Sequence, residues 1–243
     1  MKIGLIGFGR LGRLLTKYLA QDFQVYVYDP ELQPEDVEAL GAIPASLEEV
    51  CAQAAILPLV PISVFEEVIQ KIAPLIQAGT LVIDCCSVKI KPVEVMCKYL
   101  ADDVDILATH PMFGPDSAAD TLFGAKLVLC PVRVEPRRYS EIKIYLEKHG
   151  IKLVEATPEE HDQQISRSLF LAHFLGRTLL ELETGPLEID TKGYRRMMKI
   201  LLTVQNDTWQ LFEDMYHYNP HAGIIHQDFV AAMQRVTEKL LPS

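Results

Sequence analysis

The sequence predicts an α/β fold, a Rossmann-type, mostly parallel sheet followed by an all-helical domain. Two observations carry this. Short β-branched runs alternate with amphipathic stretches over the first part of the chain, the pattern of parallel strands joined by crossover helices. After Thr157-Pro158-Glu159-Glu160, a helix-opening sequence, the alternation stops and helical periods run to Leu241. The change of period sets the expected domains at residues 1–156 and 157–243.

Taken in order, Lys2-Ile3-Gly4-Leu5-Ile6-Gly7 opens the chain directly as a strand. Further strands are expected at 24–28, 54–57, 80–84, 105–108, 126–129 and 152–155, with helices between most of them, including 11–20, 64–75 and 136–149. In the second domain, 166–182 is apolar almost all the way round, with Leu169, Phe170, Leu171, Phe174, Leu175 and Leu179, and so asks for burial on every side. A helical domain of this size hardly encloses such an element alone, and a homodimer packed through the helical domains is expected. Thr184-Gly185-Pro186 ends that helix, and another long one is expected over 194–216, before Asn219-Pro220.

Apolar residues make up 49% of the 243, enough for a sizeable core, and Lys+Arg 23 against Asp+Glu 33 gives a net charge of -10. That field repels nucleic acid and anionic membrane, so neither is an expected partner. With no apolar run of membrane-spanning length and no charged stretch ahead of the first strand, neither a membrane span nor secretion is expected. The 5 cysteines, an odd number without CxxC spacing, fit a reducing cytoplasm better than a disulfide framework. No metal-ligand spacing is found, and no metal is expected.

Gly7-Phe8-Gly9-Arg10-Leu11-Gly12 fits G-x-G-x-x-G between an expected strand and an expected helix, the context of a dinucleotide phosphate turn. Gly7 permits the tight turn, Gly9 lets the backbone approach a pyrophosphate, and Gly12 allows helix to pack on strand. The amides of Arg10 and Leu11 lie at the helix N-terminus, where unpaired N–H groups favour an anion. Asp29 closes the second strand, where a carboxylate accepts from a ribose 2′-hydroxyl and repels a 2′-phosphate. NAD is therefore the expected cofactor, with NADP left open because Arg10 can reach toward a 2′-phosphate. The plain alternative is a glycine turn without a dinucleotide.

A second cluster follows the later strands, Asp84-Cys85-Cys86-Ser87-Val88-Lys89 after one and Thr109-His110-Pro111-Met112-Phe113-Gly114-Pro115-Asp116-Ser117 after the next. His110, read as lying past the end of its strand, is placed as a proton acceptor for a small-molecule substrate beside a nicotinamide. A solvated loop histidine is the competing reading. For Ser87 it is a turn hydroxyl capping the next helix.

These two segments resemble the prephenate and arogenate dehydrogenase family of tyrosine biosynthesis. The resemblance runs through nearly the whole chain: Glu160-His161-Asp162, His173 with Gly176-Arg177, Asp190-Thr191-Lys192-Gly193-Tyr194 and Met215-Tyr216-His217-Tyr218-Asn219-Pro220 are similar to the plant-type arogenate branch. It implies oxidative decarboxylation of arogenate or prephenate with hydride transfer to a nicotinamide cofactor. His110 would contact the ring hydroxyl with Ser87 assisting, and His173, Thr191, Lys192 and Asp207 would bind substrate. The chain departs from the branch at Leu169, where a Gln is usual, and at Arg195 and Arg196. It departs also at Asp29-Pro30, where NADP-preferring members carry small or basic residues, so the cofactor is read from Asp29. The alternatives are another NAD(P)-dependent hydroxyacid or imine-type reductase, and a non-catalytic NAD-sensing protein. A solvated Lys192, a satisfied core His173 and an exposed helical Asp207 are the plain readings of those residues.

Overall fold

Eight strands form one sheet in the computed structural model, which describes residues 1–241, the side chains at 202 and 203 excepted. They are β1 (Lys2–Ile6), β2 (Gln24–Tyr28), β3 (Ile43–Pro44), β4 (Ala55–Pro58), β5 (Leu81–Asp84), β6 (Asp105–Pro111), β7 (Lys126–Arg133) and β8 (Lys152–Glu155). Their order is β3-β2-β1-β4-β5-β6-β7-β8, parallel throughout except between β6 and β7. The chain reverses direction of travel across the sheet between β1 and β4, the switch point at which open α/β sheets bind ligands. The α/β expectation is borne out, and every expected strand is present.

Central strands are buried on both faces, as a parallel sheet covered by helices requires: Ile3, Leu5, Val25, Val27 and Leu107 are each at most 4% exposed. The covering helices are α1 (Arg10–Leu19), α2 (Pro34–Glu38), α3 (Leu47–Cys51), α4 (Ile62–Ile72), α5 (Ile90–Tyr99) and α6 (Pro136–Lys148). The helix expected at 64–75 is α4 followed by a 3₁₀ turn at Ala73–Leu75, where Pro74 ends the α-helical hydrogen bonding. α3 opens on a capping box in which Ser46 Oγ accepts from the Glu49 amide and Glu49 accepts from the Ser46 amide.

One expectation about position is corrected. His110 lies inside β6 rather than past its end, paired with Val128 of β7. The antiparallel ladder to β7 carries β6 on through Thr109, His110 and Pro111, three residues beyond the last apolar residue of the local run, and His110 is 4% exposed.

Met1–Pro158 forms one compact unit and a second begins at Glu159. The second holds α7 (whose first residue, Pro158, closes the first unit, and which ends at Ile165), a π-helical turn at Ser166–Phe170, α8 (Leu171–Glu181), α9 (Lys192–Val204), α10 (Trp209–Tyr218) and α11 (Ala222–Glu238). The long helix expected over 194–216 is two helices, because Thr208 Oγ1 accepts from the Leu211 amide and starts α10 afresh. Nor is 166–182 enclosed on all sides within one chain: Phe170 is 1% exposed, but Leu180 is 40% and Leu182 72% exposed. Its buried face packs Phe170 flat against Phe212, ring centroids 5.7 Å apart, with Met215 and Ala222 beneath. Among the described residues no helix is long and apolar enough to cross a membrane.

Candidate functional site

The glycine turn is built as a cradle. Gly7 has φ +107°, and a Cβ there would meet the Leu59 carbonyl oxygen at 2.3 Å, so only glycine serves. A Cβ on Gly12 would meet the Gly7 carbonyl oxygen at 2.3 Å, which is how α1 comes to lie so close to the end of β1. Gly9 differs. Its backbone is ordinary extended chain (φ −68°, ψ −165°), and a Cβ there would meet nothing within 4 Å. The open space lies over the first turn of α1, which has no side-chain cap and no acidic residue. Backbone amides with room above them fit the pyrophosphate of a dinucleotide.

Asp29 sits beside this turn. Its Oδ2 accepts from the Phe8 amide at 2.8 Å and its Oδ1 from the Glu31 amide at 2.9 Å, so the carboxylate ties the glycine turn to the end of β2. Each oxygen keeps a lone pair for a further donor. Arg10 reaches across to Asp116 at 2.7 Å, while Tyr18 Oη donates to the Ala118 carbonyl at 2.9 Å. The segment after His110 is thus fastened to α1, a link that sequence spacing does not reveal.

The second cluster lies on the same edge of the sheet, because β1, β4, β5 and β6 run parallel and end together. Ser87 follows β5, and His110 is two residues past Ala108, the β6 partner of Asp84. α5 starts at Ile90 with no side-chain cap, so the Ser87 hydroxyl is not spent as that helix's cap. Burial pushes the Cys85 thiol up to about 11 and the Cys86 thiol well above its ordinary value, which leaves neither as a thiolate nucleophile near neutral pH. Sequence reasoning missed the group that organises this edge. Lys89 is fully buried, its ammonium on the Asp84 carboxylate and 2.5 Å from the Thr109 carbonyl oxygen. An acid and a base five residues apart after an apolar strand was the available signal.

In the second unit the structure brings His173 and Asp207 together. His173 is 3% exposed, and its Nε2 is 3.6 Å from Asp207 Oδ2, a close approach just outside hydrogen-bonding distance. Its Nδ1 is buried without a partner, so this is not a satisfied core histidine. Arg177 donates to the carbonyls of Asp207 and Thr208 at 3.0 and 2.8 Å and lies over the Trp209 and Phe212 rings. Asp207 is therefore held in the break between α9 and α10, not on a helix, with its side chain 28% exposed.

Thr191 and Lys192 stand apart from that pair. They open α9, whose 13 residues put about 20 Å between them and Asp207. Thr191 Oγ1 accepts from the Tyr194 amide as the helix cap, and Lys192 is exposed. Arg195 is engaged with Asp190 at 2.6 Å, and Arg196 is exposed.

Burial, and then the nearby Arg177 guanidinium, lower His173 to about 4. Between about pH 6.5 and 4 the unfolded chain binds a proton that folded His173 does not. This group therefore makes stability fall as pH drops through that window, by about 3 kcal/mol once complete. Urea unfolding of wild type and His173→Gln, at neutral pH and near the lower end of the window, checks this: acidification is expected to destabilise wild type more than the variant.

A parallel sheet with an open glycine turn beside its switch point defines a dinucleotide-binding α/β domain. Residues 13–155 match the family model for the prephenate dehydrogenase nucleotide-binding domain, and the chain belongs to the prephenate dehydrogenase family. Residues 178–243 match the model described as TYRAAT1-like, C-terminal domain. Arogenate dehydrogenase 1, chloroplastic, of Arabidopsis thaliana is 31% identical over 99% of this chain and 39% of its own length. Arogenate dehydrogenase 2, chloroplastic, of the same plant is 30% identical over 91% of this chain and 65% of its own length. The chain thus spans less than two thirds of either relative. The crystal structure of prephenate dehydrogenase from A. aeolicus with hydroxyphenyl propionate and NAD+ superposes with a TM-score of 0.76, covering 98% of this chain and 90% of that one. At 20% identity, that likeness speaks for the fold.

Proposed function

We propose that the chain is an NAD-dependent dehydrogenase that oxidatively decarboxylates arogenate to tyrosine, and prephenate to 4-hydroxyphenylpyruvate less readily. The observation that carries this reading is a buried histidine, His110, on the same sheet edge as an open glycine turn. Gly7, Gly9 and Gly12, with the Arg10 and Leu11 amides, would hold the pyrophosphate, and Asp29 the ribose. NAD, when bound, supplies the hydride acceptor. The Asp29 carboxylate favours it over NADP by repelling a 2′-phosphate.

The protein's share is position and a place for one proton. As hydride leaves the ring carbinol carbon, the ring carboxylate departs as CO2 and its bonding pair completes the aromatic ring. His110 accepts a hydrogen bond from the ring hydroxyl, takes positive character as charge develops there, and leaves the proton on the phenol of the product. Ser87 orients that hydroxyl. His173, kept neutral, offers a donor and an acceptor to substrate.

Arogenate and prephenate differ at one end, where arogenate has an ammonium and prephenate a ketone. A carboxylate held in a partly buried break is suited to the ammonium, and Asp207 fills that role. The names of the two plant relatives support the same preference. Measuring kcat/KM for both substrates tests it. Wild type is expected to favour arogenate, and Asp207→Asn to shift the ratio toward prephenate by about tenfold, or about 1.4 kcal/mol. A wild type that prefers prephenate, with a ratio Asp207→Asn leaves unchanged, reverses the assignment.

We also propose that the working form is a homodimer through the helical unit. Val230, Met233 and Val236 of α11 and then Leu240 follow one another at helical spacing and are 36%, 50%, 59% and 79% exposed, a stripe that asks for cover. The length of α9 gives the dimer a functional reason. Thr191 and Lys192 of one protomer are then free to serve a substrate held by His173 and Asp207 of its partner. Sedimentation is expected to give a dimer, and Met233→Glu with Val236→Glu to give a monomer of much reduced turnover. A fully active monomeric wild type contradicts this. Free thiols at Cys51, Cys85, Cys86 and Cys97 support a reducing compartment, the cytoplasm.

A further inference from the structure

Lys89 is the one lysine or arginine that is buried among the described residues. Stability does not account for it, since a well-packed apolar pair commonly does as well as a buried ion pair of the same volume. What an apolar pair cannot do is make the hydrogen bonds seen here. Asp84 closes β5, and its Oδ1 accepts from the Cys86 amide at 2.7 Å, fixing the turn that carries Ser87. Its Oδ2 receives the Lys89 ammonium, which also donates to the Thr109 carbonyl at 2.5 Å. That carbonyl belongs to the peptide whose nitrogen is His110's. Thr109 Oγ1 returns a hydrogen bond of 2.7 Å to the Asp84 carbonyl.

We infer that Lys89, through Asp84, is a positioning residue that sets His110 and Ser87 relative to one another. A single fully buried ammonium joins the peptide preceding one to the turn bearing the other, and both attachments are lost if it is removed. Four backbone and side-chain groups of two adjacent strands are thereby held in one closed ring of hydrogen bonds. The ring is buried, with Asp84 and Lys89 at 0% and Thr109 at 3% exposure. It acts by fixing where the proton acceptor stands, and a misplacement of about 1 Å at a reacting group costs about 10²-fold in rate.

The inference rests on the proposed reaction, and the test separates the two. Removing Lys89 alone strands a buried carboxylate, so the informative variant is Asp84→Asn with Lys89→Met, which removes both charges. It is made in wild type and in His110→Asn. In wild type we expect a melting temperature within a few degrees, NADH affinity and arogenate KM within about threefold, and kcat lowered about 10²-fold. In the His110→Asn background we expect less than about threefold further loss, because the effect passes through His110. Wild-type kcat in the folded double variant overturns the positioning role alone. So does a further loss of about 10²-fold on top of His110→Asn, which makes the ring independent of His110. Full turnover in His110→Asn by itself overturns the reaction and this inference together. If the double variant does not fold, Lys89→Arg takes its place. It keeps the charge while displacing the donors and should lower kcat at least about tenfold with KM held; unchanged kcat there overturns the inference.

Discussion

His110→Asn is expected to lower kcat with arogenate by about 10²–10⁴-fold while leaving NADH affinity within a few-fold of wild type. His110 is 4% exposed on β6, between β5 and β7, and the antiparallel pairing to Val128 fixes its backbone. Asn is smaller, keeps the strand hydrogen bonds and retains polar atoms, so the sheet has no reason to fail. What is lost is the imidazole proposed to accept the proton of the ring hydroxyl. The nucleotide is proposed to bind at the β1 turn, on the other side of β4 and β5, and its binding is expected to be indifferent to the change. Steady-state rates and NADH titration check both halves. Wild-type turnover in the folded variant contradicts the proton-acceptor role. Lost NADH binding would instead place His110 in the nucleotide site.

Gly9→Val is expected to weaken NADH binding by at least about 10²-fold without unfolding the protein. At most positions of a phosphate turn a glycine is explained by strain or by neighbouring atoms. Gly9 has neither explanation, since its φ of −68° suits any residue and its Cβ would meet no atom within 4 Å. A valine there therefore fits the chain and fills the space over the α1 amides, where the pyrophosphate is proposed to lie. Gly7→Ala is the contrast. It places a Cβ 2.3 Å from the Leu59 carbonyl oxygen at φ +107° and should destabilise the fold itself. Melting temperature and NADH titration separate the two variants. Undiminished binding in Gly9→Val contradicts the glycine-turn assignment.

The sheet was legible in the sequence because parallel strands are short apolar runs and their crossovers are amphipathic, both local signals. The glycine turn was legible for the same reason, since its strand and helix adjoin it. β3, two residues at the sheet's edge, has too little sequence to show a period. The extent of β6 was hidden because its last residues are strand only by virtue of pairing with β7, an arrangement that local pattern does not encode. The break at Thr208 was readable in principle. Asn206-Asp207-Thr208 before Trp209 is a run of capping residues, but the apolar period on either side outweighed it.

The candidate site follows the same division. The glycine turn stands out as a local motif, whereas the role of Lys89 does not, because its spacing from Asp84 only hints at a pair and burial on Asp84 and the Thr109 carbonyl arises on folding. The link from Arg10 to Asp116 joins segments 106 residues apart and has no sequence signature. His173 and Asp207 likewise meet through the packing of α8 against the end of α9, so close that a Cβ added at Gly176 would meet Val204 Cγ2 at 2.8 Å. The 13-residue length of α9 separates Asp207 from Thr191 and Lys192, which the family resemblance groups together as substrate contacts.

Oxidative decarboxylation is tested by the stoichiometry of turnover, with reduced nicotinamide followed by absorbance and released CO2 trapped from the same reaction of the purified chain with arogenate and NAD. One CO2 is expected for each NADH, at rates that exceed those with prephenate and those with NADP. NADH formed without CO2, or no turnover with either substrate and either cofactor, would contradict the proposed reaction.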